Sequence, residues 1–315
     1  MSEKIIFGPV MSRRLGRSLG IDLVPHKTCT LDCIYCECGK TTNKTIERKN
    51  FISPELILSE LEKALNKDLK IDVITFSGSG EPTLYKDLEY LIDEIKKMTS
   101  IPLVMITNST LLFDKEVRNA LLKVDYVLPS LDASCFSTFN RINRPHENIS
   151  FKDVLDGLIV FSKNFNGKIW LEILFCKGIN DSEEELKGFE KIIPKIRTDL
   201  IQINSVDRPP AYPEAGKLTY YELERIAKRL GGVVIARNNS KYPISEKSKD
   251  VDFDESRILE LLKRRPETID AIEKGLSIQR VYLIKLINEL MDEGKIIKKR
   301  FEGNDFFCLN KDSDT

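Results

Sequence analysis

Four cysteines, Cys29, Cys33, Cys36 and Cys38, fall within ten positions of a chain that holds seven in all. Thiols crowded in this way ask for a ligand rather than for a disulfide scheme. In the run Cys29-Thr-Leu-Asp-Cys33-Ile-Tyr35-Cys36, three thiolates share one short loop, and each can cap one iron of a [4Fe–4S] cubane. The fourth iron then has no protein ligand and stands open to a chelating small molecule. Two other readings stay beside this one. Zinc would take Cys33, Cys36 and Cys38 with one further ligand; zinc sites usually draw ligand pairs from separate segments, and here there are two histidines, His26 and His146, and no second cysteine pair. A ferredoxin would need four thiolates, with Cys38 as the fourth, but the large α/β body around the loop argues against a simple electron carrier.

The elements that must hold such a loop are legible around it. Short β-rich runs at 19–24, 73–77, 103–107, 126–130, 169–175, 200–203 and 233–236 alternate with helical patterns. Several are near-continuous apolar stretches, as expected of strands covered on both faces. One helix begins with Ser53 as N-cap and Pro54 in its first turn, and others carry capping boxes, Ser182 with Glu185 and Thr219 with Glu222. Further helices are expected at 86–99, 115–124 and 151–164. This alternation predicts an α/β fold with a parallel sheet, open or curled into a partial barrel, and reactive groups at the carboxyl ends of its strands. The cysteine loop follows the first strand. After the second come Ser77-Gly78-Ser79-Gly80-Glu81, small residues that let a ligand lie against the backbone and a carboxylate that could meet an ammonium group. The polar stretch 241–250 reads as a linker after a catalytic domain spanning 1–240. Residues 251–315 read as a small winged-helix-like domain, with helices at 256–264, 268–274 and 278–292 and runs at 295–301 and 306–309 flanking a turn at Glu302-Gly303-Asn304-Asp305.

The spacing Cys-x3-Cys-x-aromatic-Cys, with Tyr35 at the aromatic position, resembles the signature of the radical S-adenosylmethionine superfamily. That resemblance implies a partial (β/α) barrel, a [4Fe–4S] cluster on Cys29, Cys33 and Cys36, and S-adenosylmethionine chelating the fourth iron and cleaved reductively to a 5′-deoxyadenosyl radical. It also implies an electron donor of flavodoxin or ferredoxin type. Ser79-Gly80-Glu81 looks like the superfamily's Gly-Gly-Glu motif, with Ser79 in place of the first glycine. By the same analogy Asn108 and Ser130 would touch the ribose or carboxylate of the cofactor, Asn180 would pack beside its adenine, and Asp132 would sit on the substrate side. Each of these is equally at home as a helix cap or Asx turn. The longer run from Phe7 to Gly39, with Ser130-Leu-Asp-Ala and Arg144-Pro-His, resembles the subgroup of queuine lyases. These free queuine from queuosine or its 5′-phosphate by taking a ribose hydrogen and breaking the C–N bond.

Remaining residues bear on substrate and partner. Cys38, Cys135 and Cys176 lie near strand ends and could return a hydrogen atom or proton to an intermediate, although buried cysteine is mostly a small hydrophobe. Arg13, Arg14, Arg48 and Arg144 surround the expected mouth, and segment 1–50 carries nine Lys and Arg against five Asp and Glu, which favours an anionic nucleoside or nucleotide. Surface ion pairing is the plainer reading. Over the whole chain 49 basic residues balance 49 acidic ones, and in 251–315 acids outnumber bases 14 to 12, so nucleic acid is not an expected partner. The third helix of that tail is apolar around most of its circumference and is expected to be buried on two sides, docked on the catalytic domain or on a partner. No run approaches a membrane span and no signal-peptide core is present, so a cytoplasmic protein is expected. A tRNA-modifying radical enzyme of wybutosine-synthesising type, and an Fe–S sensor reading DNA through its tail, are the alternatives.

Overall fold

The computed structural model describes residues 5–67, 69–235, 255–276, 278 and 280–310. In chain order the strands are β1 (Ile6–Ser12), β2 (Gly16–Ile21), the two-residue pair β3 (Thr28–Cys29) and β4 (Asn43–Lys44), β5 (Val73–Phe76), β6 (Leu103–Thr107), β7 (Tyr126–Pro129), β8 (Lys168–Phe175), β9 (Leu200–Ser205) and β10 (Val233–Val234). The main sheet runs β1-β2-β5-β6-β7-β8-β9-β10. It is parallel from β2 onward, and β1 joins it antiparallel. Helices α1 (Pro54–Leu65), α2 (Leu88–Met98), α3 (Lys115–Leu121), α4 (Phe136–Asn143), α5 (Phe151–Asn164), α6 (Glu183–Ile192) and α7 (Tyr220–Leu230) follow or separate these strands. This is the α/β partial barrel the sequence predicts.

Strand β8 shows why the sheet has two unlike faces. Ile169, Leu171, Ile173 and Phe175 are buried in the main core that also takes the helices, while Trp170, Glu172 and Leu174 point the other way and are half-buried. On that inner face Val73, Val104 and Leu128 meet Leu15 from the β1–β2 turn, with Ile106, Tyr126 and Trp170 around them. Tyr126 and Trp170 pack edge to face at 5.4 Å. The hairpin turn thus plugs an apolar floor. Caps behave unequally. Thr219 and Glu222 make the full capping box of α7, whereas Ser182 accepts from Glu185 N and the Glu185 carboxylate turns away to the Ser134 amide, 2.8 Å off.

Sequence and structure differ in several places. β1 and α4 were not expected: β1 exists because Ile6–Ser12 pairs antiparallel along β2, Phe7 opposite Gly20 and Val10 opposite Ser18, and α4 is a short helix whose Cys135 cap makes no side-chain bond. β2 ends at Ile21, freeing Asp22 to turn its side chain toward the Ser79 loop. The 233–236 strand shrinks to Val233–Val234, and the 241–250 linker lies outside the described residues.

The C-terminal part folds as α8 (Glu255–Arg264), α9 (Ile269–Leu276), α10 (Arg280–Asp292) and the hairpin β11 (Ile296–Phe301) and β12 (Asn304–Leu309). It has its own core, in which Ile258, Leu262, Ile272, Leu283 and Ile287 meet Phe307. Asn304 and Asp305 belong to β12 rather than to the turn, because Phe301 pairs with Asn304. Glu302 and Gly303 alone make the turn, both at positive φ, as a two-residue hairpin requires. The expectation of a doubly buried third helix fails. α10 buries Leu283, Ile287 and Leu290 but exposes Val281, Tyr282 and Ile284, and it is Val10 of β1 that packs onto the C-terminal core.

Candidate active site

The cysteine loop leaves the sheet after β2 and is closed by the β3–β4 pair, with Thr45 N donating to Cys29 O at 3.0 Å. Cys29, Cys33 and Cys36 are each half-buried. Each sulfur accepts one N–H from a different element: Asn108 Nδ2 reaches Cys29 at 3.5 Å, Asn143 Nδ2 reaches Cys33 at 3.4 Å, and Lys27 Nζ reaches Cys36 at 3.1 Å. A bond from Cys38 and the Lys27 ammonium, against burial, hold the Cys36 thiol down to about 6. Burial lifts Cys29 to about 12 and Cys33 well above its ordinary value, where the neighbouring thiolate charges add to the rise. A cubane needs thiolates spaced one to an iron. The donor set of three mutually sensitive thiolates, each backed by an N–H, fits the cluster.

The Ser77–Glu81 stretch uses its glycines for close approach to protein, not for ligand alone. A Cβ on Gly80 would stand 1.9 Å from Thr28 O, and one on Gly78, at φ +156°, would stand 2.2 Å from the Asp22 carboxylate. Lys27 N donates to Ser79 O and Glu81 N to Thr28 O, so the two loops are stitched together by backbone. Glu81 is buried, and its Oε1 accepts from Thr83 N (3.1 Å), Thr83 Oγ1 (2.6 Å) and Thr107 Oγ1 (2.7 Å), while Oε2 accepts from Asn108 N (2.8 Å). Burial raises its pKa against those bonds. Its task in the fold is therefore to bind the ends of β5 and β6 together.

Other expected contacts resolve into braces. Asp132 is buried and accepts from Tyr35 Oη, from Asn143 Nδ2 at 2.9 Å and from Leu174 N at 3.0 Å, tying the cysteine loop to α4 and β8 rather than facing a substrate. Asn180 is fully buried: its Oδ1 accepts from Cys176 N and its Nδ2 donates to the carbonyls of Asp132 and Leu174, the Asx turn rather than an adenine contact. Ser130 stands half-buried beyond the end of β7, bridged to Glu172. Of the three further cysteines only Cys38 stays near the loop, its thiol 3.8 Å from Gly78 O. Cys176 is packed in the main core, and burial pushes its thiol up. Cys135 is exposed ahead of α4 and lies 3.0 Å from Glu185 on α6, in the helical layer.

All four arginines expected to hold an anion already hold a carboxylate. Arg13 meets Asp207 at 2.5 Å and Arg144 meets Glu214 at 2.5 Å while stacking on Tyr212. Arg48, its side chain mostly covered, meets Asp114 and Glu116 and donates to the carbonyls of Thr83 and Lys86. Arg14 lies on the inner face, 2.6 Å from Glu172 and 3.0 Å from Gln202, with Asn204 on the other Glu172 oxygen at 3.0 Å. Burial opposes ionisation of Glu172, but the Arg14 charge holds it below the ordinary value of 4.5. Sequence reasoning missed this polar patch, as it missed Lys27 and Asn143. The signal for the patch was present, a glutamate in the middle of an otherwise apolar strand; nothing in the sequence marks Asn143.

The fold and the loop define a class. The Radical SAM superfamily model matches residues 23–189, from just after β2 into α6, and the chain belongs to that superfamily. Its cofactors are a [4Fe–4S] cluster and S-adenosylmethionine. Within the superfamily it belongs with the UPF0026 proteins: it is 34% identical over 315 residues to UPF0026 protein MJ1312 of Methanocaldococcus jannaschii, covering 97% of this chain and 96% of that one. It is also 40% identical over 312 residues to a Brachyspira hyodysenteriae protein named GTPase Obg, covering 98% of this chain but 46% of that relative. The phosphate-binding run Gly-x4-Gly-Lys-Ser/Thr occurs nowhere in this sequence. A radical SAM methyltransferase from Sphaerobacter thermophilus shares the fold at a TM-score of 0.54 with 13% identity, over 70% of this chain and 65% of that one.

Proposed function

We propose that the chain is a lyase that releases queuine from queuosine or its 5′-phosphate, working in the cytoplasm with a flavodoxin- or ferredoxin-type donor. Cys29, Cys33 and Cys36 would carry the cluster, and Asn108, Glu81 and the Ser79 loop would border S-adenosylmethionine. When bound, these cofactors supply the 5′-deoxyadenosyl radical that takes a hydrogen atom from the substrate. The observation that carries the reading is the placement of the run 7–39, on which the queuine-lyase resemblance rests. Its β1–β2 turn lays Leu15 on the apolar floor of the inner face and brings Arg14 against Glu172 and Gln202. Ile106, Tyr126 and Trp170, the part of that face left only partly buried, with the Glu172 carboxylate and Arg14 guanidinium beside them, would suit the edge of a flat base. Because the arginines are engaged with carboxylates, the nucleoside is the better substrate of the two. In this reading the 241–250 stretch links a catalytic domain, 1–240, to a winged-helix-like domain, 251–315.

The test is anaerobic reconstitution with S-adenosylmethionine, reductant and queuosine, with and without the 5′-phosphate, followed by assay of free queuine and 5′-deoxyadenosine. Both products are expected together. Deoxyadenosine without queuine from either compound would remove this substrate and leave the superfamily chemistry intact.

A further inference from the structure

Two buried charge contacts join the C-terminal domain to the cofactor loops. Arg264, the last residue of α8, reaches Asp22 Oδ2 at 2.5 Å and lies 3.7 Å over the Phe7 ring. Asp22 in turn accepts from Ser79 N, at 3.1 and 3.2 Å, and from Ser79 Oγ at 2.8 Å. The chain of contact therefore runs from α8 through one carboxylate to the first residue of the Ser79-Gly80-Glu81 stretch. The second contact lies on the other loop. Arg208, 4% exposed, holds both oxygens of Glu37 at 2.7 and 2.8 Å, and Glu37 stands between Cys36 and Cys38. The same guanidinium donates to Glu267 of the C-terminal domain at 2.9 Å. Glu267 is itself fixed, since its backbone exchanges hydrogen bonds with Phe307 of β12 in both directions, at 3.0 and 2.8 Å, and Arg265 adds a third contact to its carboxylate.

We propose that the C-terminal domain is a working part of the cofactor site: through Arg264 on Asp22 and Glu267 on Arg208 it holds the Ser79 loop and the Cys36–Cys38 segment in position. Ion pairs at an exposed surface would carry no such weight, because solvent screens them. Here Arg208 and Glu267 are both buried, so removing one partner strands a charge away from water. The geometry also separates the two arginines. Arg264 reaches Asp22 at one oxygen, a contact a lysine keeps while losing the stacking on Phe7; Arg208 forks between two carboxylates, which a lysine cannot. These are positioning residues, and none of them touches substrate. The inference rests on the cofactor site proposed above and is independent of which substrate is used.

The experiment uses the full chain, reconstituted without oxygen, with iron content, S-adenosylmethionine affinity and the electron paramagnetic resonance signal of the reduced, cofactor-loaded cluster as readouts. Arg264→Met is expected to weaken S-adenosylmethionine binding by about tenfold, which corresponds to ~1.4 kcal/mol. Pairing it with Asp22→Asn removes the stranded charge, keeps an acceptor for Ser79 and recovers most of the affinity. Glu267→Gln and Arg208→Lys are expected to change the resonance signal and lower iron retention, whereas Arg264→Lys, which keeps the charge on Asp22, binds S-adenosylmethionine more tightly than Arg264→Met. Should Arg264→Met not fold, Glu267→Gln and Arg208→Lys carry the test. Unchanged affinity, iron content and resonance in Glu267→Gln and in Arg264→Met, or in Glu267→Gln and Arg208→Lys where Arg264→Met does not fold, would overturn the proposal. Wild-type protein that binds no S-adenosylmethionine would instead overturn the cofactor site itself.

Discussion

At the scale of single residues, three sulfurs with three separate N–H donors form the centre of the site, and this sets two expectations. Cys29→Ala, Cys33→Ala or Cys36→Ala should each abolish S-adenosylmethionine cleavage, while Cys38→Ala should leave cluster absorbance intact; its loss would indicate a four-thiolate cluster. N–H···S bonds raise a cluster's reduction potential by stabilising the added electron. Asn108→Leu removes one such bond from Cys29, so the potential read by redox titration should fall. Glu172 gives the pH expectation. Its pKa is depressed in the folded protein by Arg14, so the pair contributes stability that is present above the ordinary value of 4.5 and lost as pH falls below it. Glu172→Gln should lower stability near neutrality and flatten that acid limb in urea titrations between about pH 5 and pH 3, so that the two proteins converge at low pH.

Secondary-structure elements act mainly by bringing loops together at strand ends. β5 and β6 end side by side, and Glu81 fastens them with four accepted bonds. The Gly80 backbone must pass against Thr28 for this to happen. Gly80→Ala should therefore displace the cysteine loop, seen as reduced iron per chain after reconstitution in protein that still shows native far-ultraviolet circular dichroism. Caps are separable from this machinery. Thr219→Ala breaks the α7 capping box, with an expected cost of about 1 kcal/mol in denaturant unfolding and unchanged iron content. Both capping boxes had the same spelling in the sequence, yet only α7 closes its box, since Glu185 found the Ser134 amide as a competing donor.

For the whole molecule, charge balance and docking are the relevant facts. With 49 charges of each sign there is no broad basic field, so random RNA or DNA should show no mobility shift at ~1 µM protein in low salt. No helix among the described residues is long and apolar enough to cross a membrane. The order of strands, the position of the cysteine loop and the glycine loop beside it were all readable along the chain, because strand–helix alternation and cysteine spacing are local patterns. Helix α5 was expected at 151–164 and stands at Phe151–Asn164. What could not be read were partnerships between residues far apart in sequence. Asp132 and Asn180 had the same composition cues as ligand contacts, and became braces only because Tyr35, Asn143 and Leu174 arrive beside them. The arginines of segment 1–50 look free for an anion until Asp207, Glu172, Asp114 and Glu116 meet them from later elements. Residue type and spacing fix which chemistry is available, since metal ligation and hydrogen bonding depend on side-chain identity. Whether a given carboxylate or guanidinium is spent on the fold or faces a ligand depends on desolvation and on neighbours that only the packed chain brings within 3 Å or so.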